Sequence, residues 1–346
     1  MGIDFTKSNE WTGKRSFGGR SLHDVSFSTN PYREAIRVIG RSLEVFDDDK
    51  MIPTYGFGTA EAGADKLVSF MPGDRPCHTF QQVEQRYTQV APHINMAGPT
   101  TFGPIIRKAI EITAASGGQY HILVIVADGQ VTRPSSTAPG QMSQFEQDTA
   151  NAIVEASNYP LSIVMVGVGD GPWDAAQAFD DCIPNRKWDN WQTVIMEASL
   201  GKKGGSLEYC PPEAEAQFAL DALMEVPDQY NITQQLNLLY SRKGVNHAKV
   251  GVINPPEASL GGDAPRGGGY PGQGPPAHGQ GPYPGQGPPP QSGGQAPYPG
   301  QGPPSGQGPP PQSGGQAPYP GQGPPAAQGS DVPYPPAATS GSLTAV

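Results

Sequence analysis

Two stretches of this sequence are apolar almost without a break: Tyr120-His121-Ile122-Leu123-Val124-Ile125-Val126-Ala127 and Leu161-Ser162-Ile163-Val164-Met165-Val166-Gly167-Val168. A strand with one wet face alternates apolar and polar residues. A strand that does not alternate is buried on both faces, as in a parallel sheet covered by helices on each side. Residues 51–57 form a weaker strand pattern, and residues 2–5 begin another at the start of the chain. Helical patterns separate these runs. Asn30-Pro31 supplies a polar cap and a proline at the first helical position, and Ile36, Ile39, Leu43 and Phe46 follow on one face, predicting a helix over 30–47. Further helices are expected over 79–90, 102–116, 143–157 and 213–223. The expected fold is therefore α/β, a Rossmann-like, doubly wound and mostly parallel sheet, with the loops after its strands gathered along one edge.

That pattern stops near residue 254. From Pro255 onward the chain is nearly all Gly, Pro, Gln, Ser, Ala and Tyr, and YPGQGPP recurs from Tyr270, Tyr283, Tyr298 and Tyr319. Such a composition cannot assemble an apolar core. The expected organisation is one domain over 1–254 and a disordered repeat tail over 255–346. Its regularly spaced Tyr residues suit weak multivalent contacts, and a passive low-complexity linker is the alternative.

The formal net charge is −10, and the part before the tail holds 21 basic and 29 acidic residues. An acidic domain without a basic stripe repels phosphate backbones, so no nucleic-acid partner is expected, and membrane contact is at most peripheral. Cys77, Cys182 and Cys210 lie far apart with no paired spacing, which suits a reducing compartment. No apolar run approaches the roughly 20 residues of a membrane span. The expected location is cytoplasmic, with the nucleus or a membrane periphery as alternatives. Met1-Gly2 with Thr6 meets the loose rule for N-myristoylation of Gly2.

Three separated pieces place oxygen donors where this fold exposes strand ends: Asp4-Phe5-Thr6-Lys7-Ser8-Asn9, then Gly98-Pro99-Thr100-Thr101-Phe102, then Ala127-Asp128-Gly129. Along an extended backbone Asp4, Thr6 and Ser8 share one side, and Phe5 faces the core. Asp4, Thr6, Ser8, Thr100 and Asp128 are the candidate metal ligands. A hard cation such as Mg²⁺, or Mn²⁺ or Ca²⁺ in its place, takes about six oxygens. Five ligands or fewer leave a position for a partner's carboxylate. Each piece alone also reads as a turn or a helix cap. Asp170, which follows the second apolar run, reads better as a turn residue than as a ligand. No nucleophile, P-loop or dinucleotide motif is present, and the six histidines have no partner by spacing.

The ordered set DxTxSN, GPTxF, the apolar strand ending ADGQV, and YPLSIVMVGVGDGPW resembles the von Willebrand A domain of copines, and most closely the plant RING domain ligase (RGLG) subgroup. IDFTKSNEWTGKRSF, DNWQ at 189–192 and FALDALMEVPDQY at 218–230 extend the likeness over nearly all of residues 2–240. The resemblance implies a metal-ion-dependent adhesion site at the same five residues. Many A domains carry Ser where this chain has Thr6, and the hydroxyl is retained. Copines place two C2 domains before this unit, and RGLG proteins end in a RING needing about eight Cys or His ligands, against three Cys here. The expectation is thus a metal-dependent protein-binding adaptor that captures an acidic group of a protein partner, with the question of enzymatic activity open and the missing RING weighing against it. A component of ubiquitin ligation, with the RING on another subunit and ubiquitination machinery as partner, is the alternative.

Overall fold

A computed structural model describes residues 1–260 apart from Ser28, Val45, Gln130, Cys182, Leu207 and Glu208, and apart from the side chains of Ala175, Gln177, Ala178 and Asp181. The expected repeat tail lies outside the described residues from 261 onward. The elements in chain order are β1 (Gly2–Asp4), α1 (Pro31–Leu43), β2 (Met51–Ile52), β3 (Tyr55–Phe57), β4 (Lys66–Ser69), β5 (Cys77–His78), α2 (Thr79–Val90), α3 (Gly103–Ala115) and β6 (His121–Ala127). There follow α4 (Gln144–Ala156), β7 (Leu161–Gly167), α5 (Asp174–Asp181), β8 (Trp191–Ile195), α6 (Met196–Gly201), α7 (Pro212–Leu223), α8 (Val226–Gln235) and β9 (Gly251–Ile253).

Seven strands form one sheet in the order β8-β7-β6-β1-β3-β4-β9, and all neighbours are parallel except β3 with β4. The continuous apolar strands behave as their composition demands. In β6, Val124 and Val126 join a core with Tyr32 and Ile36 of α1 and Phe218 of α7. Leu123, Ile125 and Ala127 join a second core on the other face with Ile105 and Ile106 of α3 and Ile153 of α4. The chain leaves β1 for β3 on one side and returns to β6 on the other. The strand order reverses at β1, and in open α/β sheets such a switch point opens a crevice beyond the strand ends.

Capping follows the sequence signals. Asn30 Oδ1 accepts from the Arg33 N–H at 2.8 Å with Pro31 next in line. Ser143 and Glu146 form a reciprocal capping box at α4.

Two departures have physical causes. The run 51–57 is two strands, β2 pairing with β5 and β3 with β1, because Pro53 has no N–H for a ladder. Helix α1 ends at Leu43, so Phe46 is exposed instead of joining the apolar face. Asp47, Asp48 and Asp49 follow at once, and acidic residues oppose the negative C-terminal end of a helix. Gly2 is buried in β1 opposite Tyr55 and Ile125, and a Cβ there would lie 2.6 Å from Ile105 Cγ1.

The boundary expected after residue 254 also moves. Glu257–Leu260 form a 3-10 turn with Ser259 buried, and the Ser259 carbonyl accepts from Arg86 Nη1 at 3.1 Å. Arg86 is itself buried in α2 and donates to the Phe70 carbonyl at 2.9 Å. Removing an acceptor from a buried guanidinium costs about 1.5–3 kcal/mol. Residues 1–254 are therefore expected to melt roughly 3–10 °C below residues 1–260 in a calorimetric scan. Equal melting temperatures would show that the turn after β9 adds nothing to the domain.

Candidate metal centre

The five expected ligands lie together at the switch point. Asp4 ends β1 and Asp128 follows β6, and the parallel register Ile3↔Val126 sets their strands side by side. Thr6 Oγ1 is 3.1 Å from Ser8 Oγ, and Thr100 Oγ1 donates to Thr6 Oγ1 at 3.1 Å. Ser8 Oγ donates to Asp128 Oδ1 at 3.1 Å. Asp4 Oδ1 accepts from the Thr6 N–H at 2.8 Å, whereas Asp4 Oδ2 is buried with no hydrogen-bond partner.

The way Ser8 arrives differs from the expected extended alternation. Residues Lys7–Glu10 close a 3-10 turn after the extended Thr6, and the turn swings Ser8 back toward Asp128. Phe5 is buried in the α1 side of the core as expected. Close approach of the chain is allowed by Gly58, whose φ of +76° suits glycine and whose missing side chain leaves room for the Thr6 methyl.

Electrostatics set this cluster apart. Asp4 and Asp128 are both fully buried, and among the described residues neither has an ion-pair partner. Burial, then the charge of Asp128, raises the Asp4 carboxyl well above the usual carboxylate range. Burial likewise raises Asp128, opposed by hydrogen bonds from Thr12 and Ser8. Two like charges in a site of low dielectric repel strongly, and such sites are completed by a proton or a cation. The donor set fits a hard divalent ion: two carboxylates, three hydroxyls, and one carboxylate oxygen with nothing bound to it. Among the described residues no three His, Cys, Asp or Glu side chains converge, so a metal held here must take hydroxyl oxygens as well. Asp4, Asp128, Thr6, Thr100 and Ser8 would hold it. Ser8 is half-buried and marks the side open to solvent.

Several further residues support the cluster, of which Thr12 and His23 have no signature in the sequence. Thr12 Oγ1 donates to Asp128 Oδ2 at 2.5 Å. Asn9 Nδ2 donates to the Thr6 carbonyl at 3.0 Å, and its Oδ1 accepts from Tyr32 of α1 at 2.7 Å. His23 is stacked between Phe5 and Tyr32, with Nε2 2.7 Å from the Asp4 carbonyl and Nδ1 2.9 Å from the Tyr87 hydroxyl. Burial lowers His23 to about 3, against the hydrogen bond to the Asp4 carbonyl, so the ring is neutral near pH 7. Asp170 is no ligand in this arrangement. Its carboxylate accepts from the N–H groups of Arg15 at 2.9 Å and Ser16 at 3.0 Å, and so pins the loop after β1 to the end of β7.

Comparison with known proteins places the chain in a lineage. The model of the copine family matches residues 21–242, well over half of the chain. The chain belongs to the copine family. It is 54% identical over 245 residues to the E3 ubiquitin-protein ligase RGLG2 of Arabidopsis thaliana, covering 70% of this chain and 51% of that protein. It is 50% identical over 256 residues to RGLG5 of the same plant, covering 74% of this chain and 58% of that protein. The chain thus spans only about half the length of these relatives. Among solved structures, the SpRpn10 VWA domain matches with a TM-score of 0.38 and 10% identity, over 70% of this chain and 96% of that one. As a copine-family chain it carries Asp4, Thr6 and Ser8 ahead of the matched span, and Thr100 and Asp128 within it.

Asp4→Asn keeps the acceptor for the Thr6 N–H and removes one buried charge. In EDTA the variant is expected to melt higher than the parent at pH 7.5, on the order of 5 °C. Asp4 has a raised folded pKa, so the parent recovers stability as pH falls through that value and the buried pair takes up a proton. The gap must therefore narrow on acidification. Added Mg²⁺ should raise the melting temperature of the parent and leave the variant unmoved. A variant less stable than the parent in EDTA contradicts the account.

Proposed function

We propose that this chain is a metal-dependent protein-binding module, in which Asp4, Thr6, Ser8, Thr100 and Asp128 hold Mg²⁺, or Mn²⁺ or Ca²⁺, and capture an acidic group of a protein partner. The observation carrying this reading is the pair of buried carboxylates without a counter-ion at a strand-end crevice ringed by hydroxyls. A divalent ion there supplies the missing positive charge and a coordination position for a carboxylate oxygen. The chain's own residues set the rest. Asn9 and His23 fix the end of β1, Thr12 orients Asp128, and half-buried Ser8 faces the side from which a ligand approaches. The repeat tail, with its spaced Tyr residues, adds weak contacts that multiply the affinity of the single site.

A second reading follows from the relatives. Chains named as E3 ubiquitin-protein ligases share 46–54% identity with this one, which supports a role in bringing substrates to ubiquitination machinery whose RING lies on another subunit. Among the described residues no helix is long and apolar enough to cross a membrane. A cytoplasmic site of action agrees with that and with the unpaired thiols of Cys77 and Cys210.

Affinity capture by the full chain, in Mg²⁺ and in EDTA, tests both readings. Proteins retained in Mg²⁺ should be released by EDTA, and Thr100→Ala or Asp128→Asn should lower retention at least about tenfold with circular dichroism unchanged. RING proteins or ubiquitin-conjugating enzymes among the retained set would favour the second reading. Retention that survives both EDTA and Asp128→Asn rules out capture at this centre.

A further inference from the structure

The loop that follows β1 carries a side chain the fold leaves outside. Trp11 keeps 48% of its surface exposed, although the fold has every means of burying an indole, as Trp191 at 0% shows. Its backbone is fixed: the Trp11 N–H donates to the Ser8 carbonyl at 2.9 Å, and the Thr12 N–H to the same carbonyl at 3.0 Å. Thr12 in turn touches Asp128. An exposed indole is thus held one residue from a side chain of the candidate metal centre. Rigid, partly exposed Trp is the residue type that most often anchors a protein interface.

A groove of about 440 Å³ runs from Trp11 past Thr12, Lys14 and Arg15 to Asp170 and Pro172. Its outward charge is positive. Asp170 is turned into the loop by the Arg15 and Ser16 N–H groups, which hold its carboxyl below the usual range although burial pushes it up. Lys14 is exposed, and the Arg15 side chain is 82% exposed, its guanidinium 3.4 Å from the Asp170 carbonyl and 3.9 Å from the Asp170 carboxylate. In a chain of net charge −10 these two cations mark a local exception. The hollow on the far side of Arg15 is lined by Glu197, so an acidic ligand is favoured on the Trp11 side only.

We propose that this groove is the second half of the ligand site. It takes an extended acidic segment of a protein partner, with an aromatic or large aliphatic side chain packed on Trp11 and Pro172. Further acidic residues of the segment pair with Lys14 and Arg15. The proposal rests on the reading of the metal centre as a site of acidic-group capture, and it adds a sequence preference that the centre alone does not impose.

The test uses the full chain and a library of 12-residue synthetic peptides, each with one central Asp or Glu and varied flanks, scored in Mg²⁺ and in EDTA. Peptides bound only in Mg²⁺ should be enriched in aromatic or large aliphatic residues beside the central acid, and in added acids. Trp11→Ala should weaken the best of them about tenfold and erase the apolar preference, with Mg²⁺-dependent binding retained, and Trp11→Phe should restore most of it. Lys14→Glu with Arg15→Glu should erase the preference for added acids and flatten the salt dependence. Mg²⁺-dependent binding with no flanking preference, or with one that Trp11→Ala leaves intact, overturns the groove and spares the metal centre. A library with no Mg²⁺-dependent binder overturns both.

Discussion

Asp4 and Asp128 stand at the ends of neighbouring parallel strands, both buried and both acidic, with no cationic side chain among the described residues to pair with them. A folded domain has little stability to spare, and an uncompensated buried charge can consume several kcal/mol of it. The surroundings are arranged to keep that pair in place. The Asp4 carbonyl is held by neutral His23, the loop after β1 by Asn9 and Tyr32, and Asp128 by Thr12 and Ser8. Gly58 and the turn at Lys7–Glu10 let the hydroxyls reach the pair. Their number and direction make sense if the pair is completed from outside the chain.

The same geometry leaves the polar atoms of the cluster largely spent on one another. The carboxylates are turned toward each other and toward hydroxyls, and His23, the nearest imidazole, spends both ring nitrogens on the Asp4 carbonyl and Tyr87. What remains open is the Ser8 side and the groove below Trp11.

Much of this was legible from sequence because the strongest signals are those of burial. β6 and β7 could be read from unbroken apolar runs, and the Asn30 cap and the Ser143 start of a helix from local chemistry. The five candidate ligands could be picked out because their oxygens fall at strand ends in a fixed order. Other features depend on tertiary contacts that leave no local trace. Short β4 and β9 form at one edge of the sheet by pairing with each other. The Glu257–Leu260 turn meets the domain through the Ser259 carbonyl, which accepts from buried Arg86. Thr12 is an ordinary loop threonine until β6 brings Asp128 beside it, and His23 meets the Asp4 carbonyl, Phe5, Tyr32 and Tyr87 only through the folded chain. The 51–57 run misled because Pro53 divides a hydrophobic pattern that otherwise reads as one strand.

The account turns on whether a divalent ion completes the buried pair. A crystal of residues 1–260 grown with Mn²⁺ and measured at the manganese absorption edge answers that directly. One anomalous peak is predicted, within ligand distance of Asp4, Ser8 and Asp128 side-chain oxygens or of waters bound to them. A map with no peak there, and with Asp4 Oδ2 still without a partner, would contradict it.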